Sequence, residues 1–307
     1  MSTLTIHILP RQTMSWEEFL NNTPNNSIAL DGVVSGGPRM DSKTNHINFD
    51  HHDNVVREAT MSTSKQVYYA IKGGLPERLK LHGDEINIFI NDTDQDTALA
   101  LWLLKNYIRF EGYSSLAHVN RLLELVDRMD ITAGAFPMHV NENLIQNHKW
   151  VFGAYTDLRE SGKLADADEV MLRQNLEATL SRLDAFSMGN AEEAPLDTRH
   201  EILHKSSYGF IIYKEIGSDA RSKLFSEGMQ GYVALLAEKA DGSFNYTIGT
   251  NSRFSAFPVT ELYGELNKTE GREAWNGSDI VGGCRNIGSK LTWQQIVTVL
   301  ETYLGSL

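Results

Sequence analysis

The chain has 307 residues, of which 41% are hydrophobic and 22% are charged, as in globular proteins that bury a sizeable core. Its formal net charge of -12, from 40 acidic and 28 basic residues, argues against a broad electrostatic grip on duplex nucleic acid. With the single cysteine Cys284, no signal-peptide pattern and no long apolar run, we predict a cytoplasmic protein that does not contact a membrane.

The first half of the chain alternates strand-like and helix-like segments. Strand patterns occur in "TLTIHIL", "SIALDG", "HINFD" and "EINIFIN". Helix patterns occur in "SWEEFLNN", where Ser15 and Glu18 form a capping signature, and in "ATMSTSKQVYYAIKGG", "DTALALWLLKNYIRF" and "SLAHVNRLLELVDRMD". This rhythm predicts an α/β domain with a mostly parallel sheet over residues 1–150.

The second half divides into a helical segment and a return to strands. Residues 151–205 are charged and Leu-spaced without strand signals, so we predict a helical connector there. Residues 206–307 carry strand patterns in "SYGFIIYKE", "GYVALLAEK" and "FNYTIGT", a hairpin turn at "ADGS" and a closing helix in "TWQQIVTVLETYL". This region is predicted to be a smaller α/β domain.

Acidic and imidazole side chains gather where predicted strands or helices end and where helices begin. They are Asp31, Asp50, His51, His52, Asp92, Asp94, Asp96, Asp127 and Asp130. In an open α/β sheet, loops at the carboxyl ends of the strands meet at one site, so we expect these side chains to converge. Oxygen ligands with one or two imidazoles suit Mn²⁺ or Mg²⁺ better than a structural zinc ion.

Two alternative interpretations need no metal. The carboxylates of "DTDQD" at residues 92–96 are also good caps for the helix that follows them. The pair His51 and His52 is also compatible with a polar loop whose hydrogen bonds are satisfied within the protein.

Two motifs together resemble the DHH phosphoesterase superfamily. "NFDHHDN", with Asp31 about one strand upstream, is similar to the motif that names this superfamily, which includes RecJ-type exonucleases, phosphodiesterases of short oligonucleotides and cyclic dinucleotides, and a manganese pyrophosphatase. "GSDIVGGCRNIGSKLT" resembles the glycine-rich substrate loop of the DHH-associated C-terminal domain. Glycines there would let backbone N–H groups approach a phosphate, although such a loop is also compatible with a structural turn.

The resemblance implies a role for each of these residues. Asp31 would bridge two ions of Mn²⁺ or Mg²⁺, His52 would face the substrate, and Asp50 would orient an imidazole. The remaining metal ligands would be His51, Asp94, Asp96 and either Asp127 or Asp130. The substrate phosphate would be bound by Gly282, Gly283, Arg285 and Gly288.

The sequence also departs from the pattern of the superfamily. Its members open with a His-x-x-x-Asp-x-Asp motif after the first strand, whereas "IHILPRQTMSWEEF" carries only His7. The best match is displaced to Asp94-Gln95-Asp96 and the apolar helix after it. Cys284 and Arg285 stand where nucleases of the superfamily usually have His, which indicates a different substrate.

We therefore expect a metal-dependent phosphohydrolase or phosphodiesterase that acts on a small phosphate, a nucleotide or a short oligonucleotide. One alternative is a catalytically silent DHH-like protein that binds a nucleotide or phosphate. Another is an interaction protein whose acidic residues form a solvated rim. The sequence leaves open the identity of the substrate, the number of metal ions and whether the chain forms a homo-oligomer.

Overall fold

The computed structural model describes residues 3–135, 142–284 and 287–307. The chain forms two compact units, Met1–Ile131 with Asn141–Ala194, and Thr132–Val140 with Pro195–Leu307. Each unit contains one mixed β-sheet together with helices, which confirms the predicted α/β class. Within the described stretches, no helix combines the length and the apolar character needed to cross a membrane.

The first unit is built from strands and helices that alternate along the chain. In order they are β1 (Thr3–Ile8), α1 (Trp16–Asn22), β2 (Ser27–Leu30), β3 (Arg39–Asp41), β4 (His46–Phe49), α2 (Arg57–Thr60), α3 (Thr63–Lys72), α4 (Leu75–Leu81), β5 (Glu85–Ile90), α5 (Gln95–Lys105), α6 (Ala117–Ile131), α7 (Glu142–Val151), α8 (Gly153–Glu160) and α9 (Glu169–Ser187). The predicted capping signature of α1 is present, because Ser15 and Glu18 bond reciprocally.

The sheet of the first unit has the strand order β1-β5-β2-β4-β3. β1, β5, β2 and β4 run parallel to their neighbours, and only the short edge strand β3 is antiparallel to β4. β2 and β4 are buried throughout. β2 contains the apolar run Ile28–Leu30, whereas β4 alternates the apolar residues Ile47 and Phe49 with buried polar residues. The carboxyl ends of β2, β4 and β5 therefore lie side by side at one edge of the sheet.

Helix α5 is buried along almost its entire length. Its sequence "DTALALWLL" has apolar residues all round, which is the pattern of a helix enclosed by other elements. It packs against α3, α6 and α9. The enclosure fixes the residues just before and at its first turn, including Asp94 and Asp96.

Helices from the predicted connector contribute to the core of the first unit. Leu172, Leu176 and Leu183 of α9 belong to the same buried cluster as Trp102 of α5. Trp102 Nε1 also donates to Asp184 at 2.7 Å. The Leu spacing seen in the sequence thus corresponds to a buried helix face. The division into segments 1–150, 151–205 and 206–307 stays a prediction.

The second unit contains a six-stranded sheet of order β10-β11-β9-β8-β7-β6. Its elements are β6 (His200–Lys205), β7 (Phe210–Glu215), α10 (Ala220–Ser226), β8 (Gly231–Glu238), β9 (Phe244–Thr250), α11 (Val259–Glu270), β10 (Asn276–Gly277), β11 (Val281–Gly283) and α12 (Trp293–Leu304). β7 and β8 are parallel and the other neighbours are antiparallel. The predicted hairpin at Asp241-Gly242 is confirmed, since β8 and β9 pair on either side of it.

Candidate metal centre

Three neighbouring strands deliver acidic and imidazole residues to one edge of the first sheet. Asp31 follows β2, the Asp50-His51-His52 run follows β4, and the loop 91–94 follows β5. Asp31 has a left-handed backbone with φ of 57°, and its N–H donates to Phe49 O at 2.9 Å. This bond holds Asp31 against the end of β4, so the two loops start from adjacent points.

Asp31, His51 and His52 form the first group of close ligand atoms. His51 Nε2 and His52 Nδ1 each lie 3.5 Å from Asp31 Oδ1. One ligand atom from each residue lies within 4.8 Å of the others. Asp31 and His51 are buried, whereas the His52 side chain is 39% exposed. His52 is therefore the member of this group that solvent reaches.

His51, Asp96 and Asp130 form a second group, which shares His51 with the first. His51 Nε2 lies 2.7 Å from Asp130 Oδ2 and 3.8 Å from Asp96 Oδ2. The same nitrogen therefore has three carboxylates around it, since Asp31 is also close. Both groups can hold a metal ion.

Several buried polar atoms at this site lack an aligned hydrogen-bond partner among the described residues. They are both ring nitrogens of His51, Asp50 Oδ2 and Asp130 Oδ2. The contact of His51 with Asp130 is short, but it does not have the direction of a hydrogen bond. A buried polar group left unpaired costs about 1–3 kcal/mol. A cation among these nitrogen and oxygen atoms would remove that penalty, so the residues present fit a metal ion.

Hydroxyl and amide donors fix the two buried carboxylates. Asp31 accepts a hydrogen bond from Thr63 Oγ1 at 2.9 Å and another from Thr97 Oγ1 at 3.1 Å. Asp96 accepts from the backbone N–H groups of Thr63 at 2.6 Å and Ser64 at 2.9 Å. These amides belong to the first turn of α3, where backbone donors have no partner within the helix. The start of α3 therefore sets the position of both carboxylates.

Asp50 accepts hydrogen bonds from both residues of the imidazole pair. Its Oδ1 accepts from the backbone N–H groups of His51 at 2.7 Å and His52 at 3.1 Å. It also contacts His52 Nδ1 at 2.9 Å. This contact has the geometry expected of the predicted orienting residue, because it fixes the His52 ring and leaves its Nε2 free for another partner.

The electrostatics of the cluster favour the protonated form of His51 and oppose the ionised form of Asp96. Burial favours the neutral ring, but Asp130 and Asp31 outweigh it and raise the pKa of His51 to about 11. Burial and the charges of Asp130 and Asp31 raise the pKa of Asp96 to about 7. Burial also opposes ionisation of Asp31, yet His51 and His52 hold its pKa well below the usual range. The buried carboxylates thus favour the cationic form of His51, and burial together with neighbouring negative charge disfavours the ionised form of Asp96.

The structure distinguishes Asp130 from Asp127. Asp127 accepts from Ser62 N at 2.8 Å and from Lys65 Nζ at 3.0 Å, so both of its oxygens bond to residues at the start of α3. Asp130 lies against His51. Of the two, only Asp130 belongs to a candidate metal group in the described part of the chain.

Two further candidates lie outside both groups, as far as the structure describes them. Asp94 is the N-cap of α5 and accepts from Thr97 N at 2.9 Å, which is the alternative that its position in the sequence left open. Burial and the charges of Asp31 and Asp130 raise its pKa well above the usual value. His7 contacts Asn87 Oδ1 at 2.8 Å within the sheet and is likewise not part of either group.

In the glycine-rich loop, close packing accounts for the glycines that the structure describes. A Cβ atom on Gly282 would lie 2.2 Å from the hydroxyl of Tyr263, and one on Gly283 would lie 2.2 Å from Tyr246 O. A Cβ atom on Gly288 would lie 2.7 Å from Ser243 Oγ. Their role in substrate binding stays a prediction. Arg285 lies outside the described residues.

The hydroxyl residues that hold the carboxylates were not among the residues singled out from the sequence. They are Thr63, Ser64 and Thr97. The available signal was their position, since each lies in the first turn of a helix that follows a ligand-bearing loop. A cap pattern predicts the start of a helix, but it does not reveal which carboxylate will face that start.

No protein-family model and no curated protein matches this chain. The resemblance to the DHH phosphoesterases therefore stays a prediction.

Proposed function

We propose that this protein is a divalent-metal-dependent phosphohydrolase or phosphodiesterase with Asp31, His51, Asp96 and Asp130 as metal ligands. The observation that carries the proposal is His51 Nε2, which is buried between three carboxylates and has no aligned hydrogen-bond partner among the described residues. A ligand set of carboxylates with an imidazole suits Mn²⁺ or Mg²⁺. The resemblance to the DHH phosphoesterases implies two ions, of which His51 Nε2 could ligate one.

The chain's own side chains would orient the reacting groups. When bound, a pair of divalent ions supplies Lewis-acid polarisation of a phosphoryl oxygen and a hydroxide nucleophile near neutral pH. Asp50 holds His52 at Nδ1 and leaves Nε2 for the substrate. Burial opposes the charge of His52, but Asp50 and Asp31 outweigh it and raise its pKa. His52 Nε2 would thus be placed to donate a proton to the leaving-group oxygen.

The proposed substrate is a small phosphate, a nucleotide or a short oligonucleotide. This part of the proposal rests on the resemblance to the DHH phosphoesterases. The same resemblance makes Gly282, Gly283, Arg285 and Gly288 the candidates for binding the phosphate. An arginine there would pair with two phosphate oxygens at once.

A second candidate function is a catalytically silent protein that binds a nucleotide or phosphate. The observation in its favour is that carboxylates expected as ligands already have other partners. Asp94 caps α5, and both oxygens of Asp96 accept backbone N–H groups. Such a site would hold fewer or more weakly bound ions than a two-metal hydrolase needs.

Elemental analysis and a hydrolysis assay test the proposal together. Full-length protein purified without chelator and incubated with Mn²⁺ should contain near-stoichiometric manganese and hydrolyse bis-p-nitrophenyl phosphate or pyrophosphate. Asp31→Asn should lose both properties, because it removes the charge of a proposed ligand that lies 3.5 Å from His51 Nε2. Asp84→Asn is the matched control, since Asp84 is exposed at the opposite end of β5.

The two readouts separate the candidate functions. Manganese without turnover on either substrate would favour the binding protein over the enzyme. Absence of manganese from wild type after incubation, or equal manganese in wild type and Asp31→Asn, would refute the metal centre itself.

A further inference from the structure

A cavity of about 420 Å³ lies in the first unit beside the loop that follows β5. The residues of its wall that matter here are Arg11, Asn91, Asp92, Arg159, Leu164 and Leu172. This volume lies within the range of about 300–1,000 Å³ that is usual for small-molecule pockets. The wall contains no member of either candidate metal group. The cavity is therefore a separate feature of the same sheet edge.

Two arginines with unused donors line this cavity. Arg11 Nη1 donates to Ala167 O at 2.6 Å, which anchors one corner of its guanidinium. Within the described residues, the other donors of Arg11 have no hydrogen-bond partner, and the guanidinium of Arg159 has neither a hydrogen bond nor an ion pair. A guanidinium carries five N–H donors and keeps its charge at any physiological pH. Most of the donor capacity at this cavity is thus available to a ligand.

The only carboxylate on the cavity wall is already bonded elsewhere. Asp92 accepts from Thr93 N at 2.7 Å and from the hydroxyl of Tyr155 at 2.9 Å. Among the described residues, Asp92 forms no ion pair within 4 Å with Arg11 or Arg159, although the charge of Arg11 favours its ionised form. The two positive charges are therefore not neutralised by a bonded partner in the wall.

Part of the wall is apolar. Leu172 belongs to the buried core of the first unit, and Leu164 packs against that core. Their side chains offer a surface from which a ligand's apolar body would displace water. A cavity that combines arginine donors with an apolar wall suits an anion that has an apolar body.

We propose that this cavity binds a small organic anion, with a phosphate or carboxylate group held by Arg11 and Arg159 and an apolar body against Leu164 and Leu172. Arginine pairs with either kind of oxyanion in the same bidentate way. Because the cavity and the metal groups share no residue, ligand binding here is independent of whether the protein hydrolyses phosphate esters.

Isothermal titration calorimetry on full-length, chelator-treated protein tests this site. The probes are phenyl phosphate, benzoate, phenol and inorganic phosphate, so that charge and apolar body are varied separately. At least one of the two aromatic anions should bind saturably and more tightly than phenol or inorganic phosphate. The comparison of phenyl phosphate with benzoate identifies which oxyanion the arginines prefer.

Variants locate the binding site. Arg11→Ala and Arg159→Ala should each weaken binding of the preferred anion about tenfold or more, since each removes a charged donor. Arg121→Ala is the matched control, because Arg121 is exposed on α6 away from the cavity wall. Arg159→Ala removes no intramolecular bond described here, so it keeps the test valid if loss of the Arg11 anchor disturbs folding.

Several outcomes would overturn the site. They are no saturable binding of either aromatic anion, equal binding of phenol, equal binding of inorganic phosphate, or equal affinity in Arg159→Ala and Arg121→Ala.

Discussion

The hydroxyl of Thr63 donates to Asp31 Oδ1 at 2.9 Å and joins the start of α3 to the end of β2. The backbone N–H of the same threonine donates to Asp96 Oδ2 at 2.6 Å. One residue at a helix start therefore fixes two carboxylates that are 65 positions apart in the chain. The positive end of α3 also favours negative charge at this place. The geometry of the candidate ligands is thus set by a helix terminus as well as by the sheet.

Replacement of Thr63 by Val tests this relationship. The substitution keeps the shape of the side chain but leaves Asp31, which is buried, with one donor fewer. We expect a loss of about 1–3 kcal/mol in the free energy of unfolding of the chelated protein, measured by urea denaturation. Mn²⁺ binding, measured by calorimetry, should weaken as well, because Asp31 is no longer held. Thr63→Ser should retain most of both properties.

The control for this substitution is Thr298→Val on α12. Thr298 is exposed, and its hydroxyl donates only to Gln294 O one turn earlier. If Thr63→Val destabilises the protein no more than Thr298→Val does, the bond to Asp31 has no net role in stability.

Substitutions of Asp127 and of Asp130 test whether one residue holds the start of α3 while the other binds metal. Asp130→Asn removes a charge beside His51 and should reduce bound manganese strongly, as measured by elemental analysis. Asp127→Asn weakens the bonds to Ser62 N and Lys65 Nζ. It should therefore lower the free energy of unfolding by about 1–3 kcal/mol while manganese content stays close to that of wild type. The reverse pattern would mean that Asp127 is the ligand.

Much of the first unit was predictable because its local patterns agree with its tertiary structure. Local signals are present in the apolar run Ile28–Leu30 of β2, in the alternation of Ile47 and Phe49 along β4, and in the Ser15 cap of α1. The strand order has no local signal of this kind, since β5 lies between β1 and β2 although it follows both in the chain. That insertion brings Asp96 close to His51, and no local pattern encodes it.

The dependence on tertiary packing also explains why the sequence could not decide between Asp127 and Asp130 as the metal ligand. Asp127 and Asp130 are both acidic residues near the end of an amphipathic helix. Which of them faces His51 depends on how α6 packs against α3, and only the folded chain determines that packing. The sequence places Thr63 and Thr97 at the starts of helices. Their hydroxyls, however, donate to Asp31, which follows β2, and no pattern near either threonine predicts that acceptor.

Metal uptake should depend on pH because protons compete with the cation. Without metal, the pKa of His51 is about 11 and that of Asp96 is about 7, both above their usual values. At pH 7 the His51 site is protonated and Asp96 is about half protonated, so binding must release these protons. The apparent affinity for Mn²⁺ should therefore rise from pH 5 to pH 8, by about tenfold per unit for each proton displaced.

Calorimetry in buffers of different ionisation enthalpy measures this proton release. We expect at least one proton released per protein molecule when the site is filled at pH 7 in wild type. Asp96→Asn should reduce the release. An affinity that stays constant between pH 5 and pH 8 would contradict ligation by His51.

Gly282 is a test of what the glycine-rich loop contributes to folding. A Cβ atom at this position would lie 2.2 Å from both Asn276 O and the hydroxyl of Tyr263, so Gly282→Ala must displace β10 or the ring. Overpacking of this kind costs about 1–3 kcal/mol, which we expect as a loss in the free energy of unfolding measured by urea denaturation. Gly264→Ala on α11 is the matched control, because a Cβ atom there meets nothing within 4 Å. That control should stabilise the protein by about 0.5–1 kcal/mol, since alanine is the better helix former. If Gly282→Ala were as stable as wild type while phosphoesterase activity fell, the glycine would serve the substrate rather than the packing of β11.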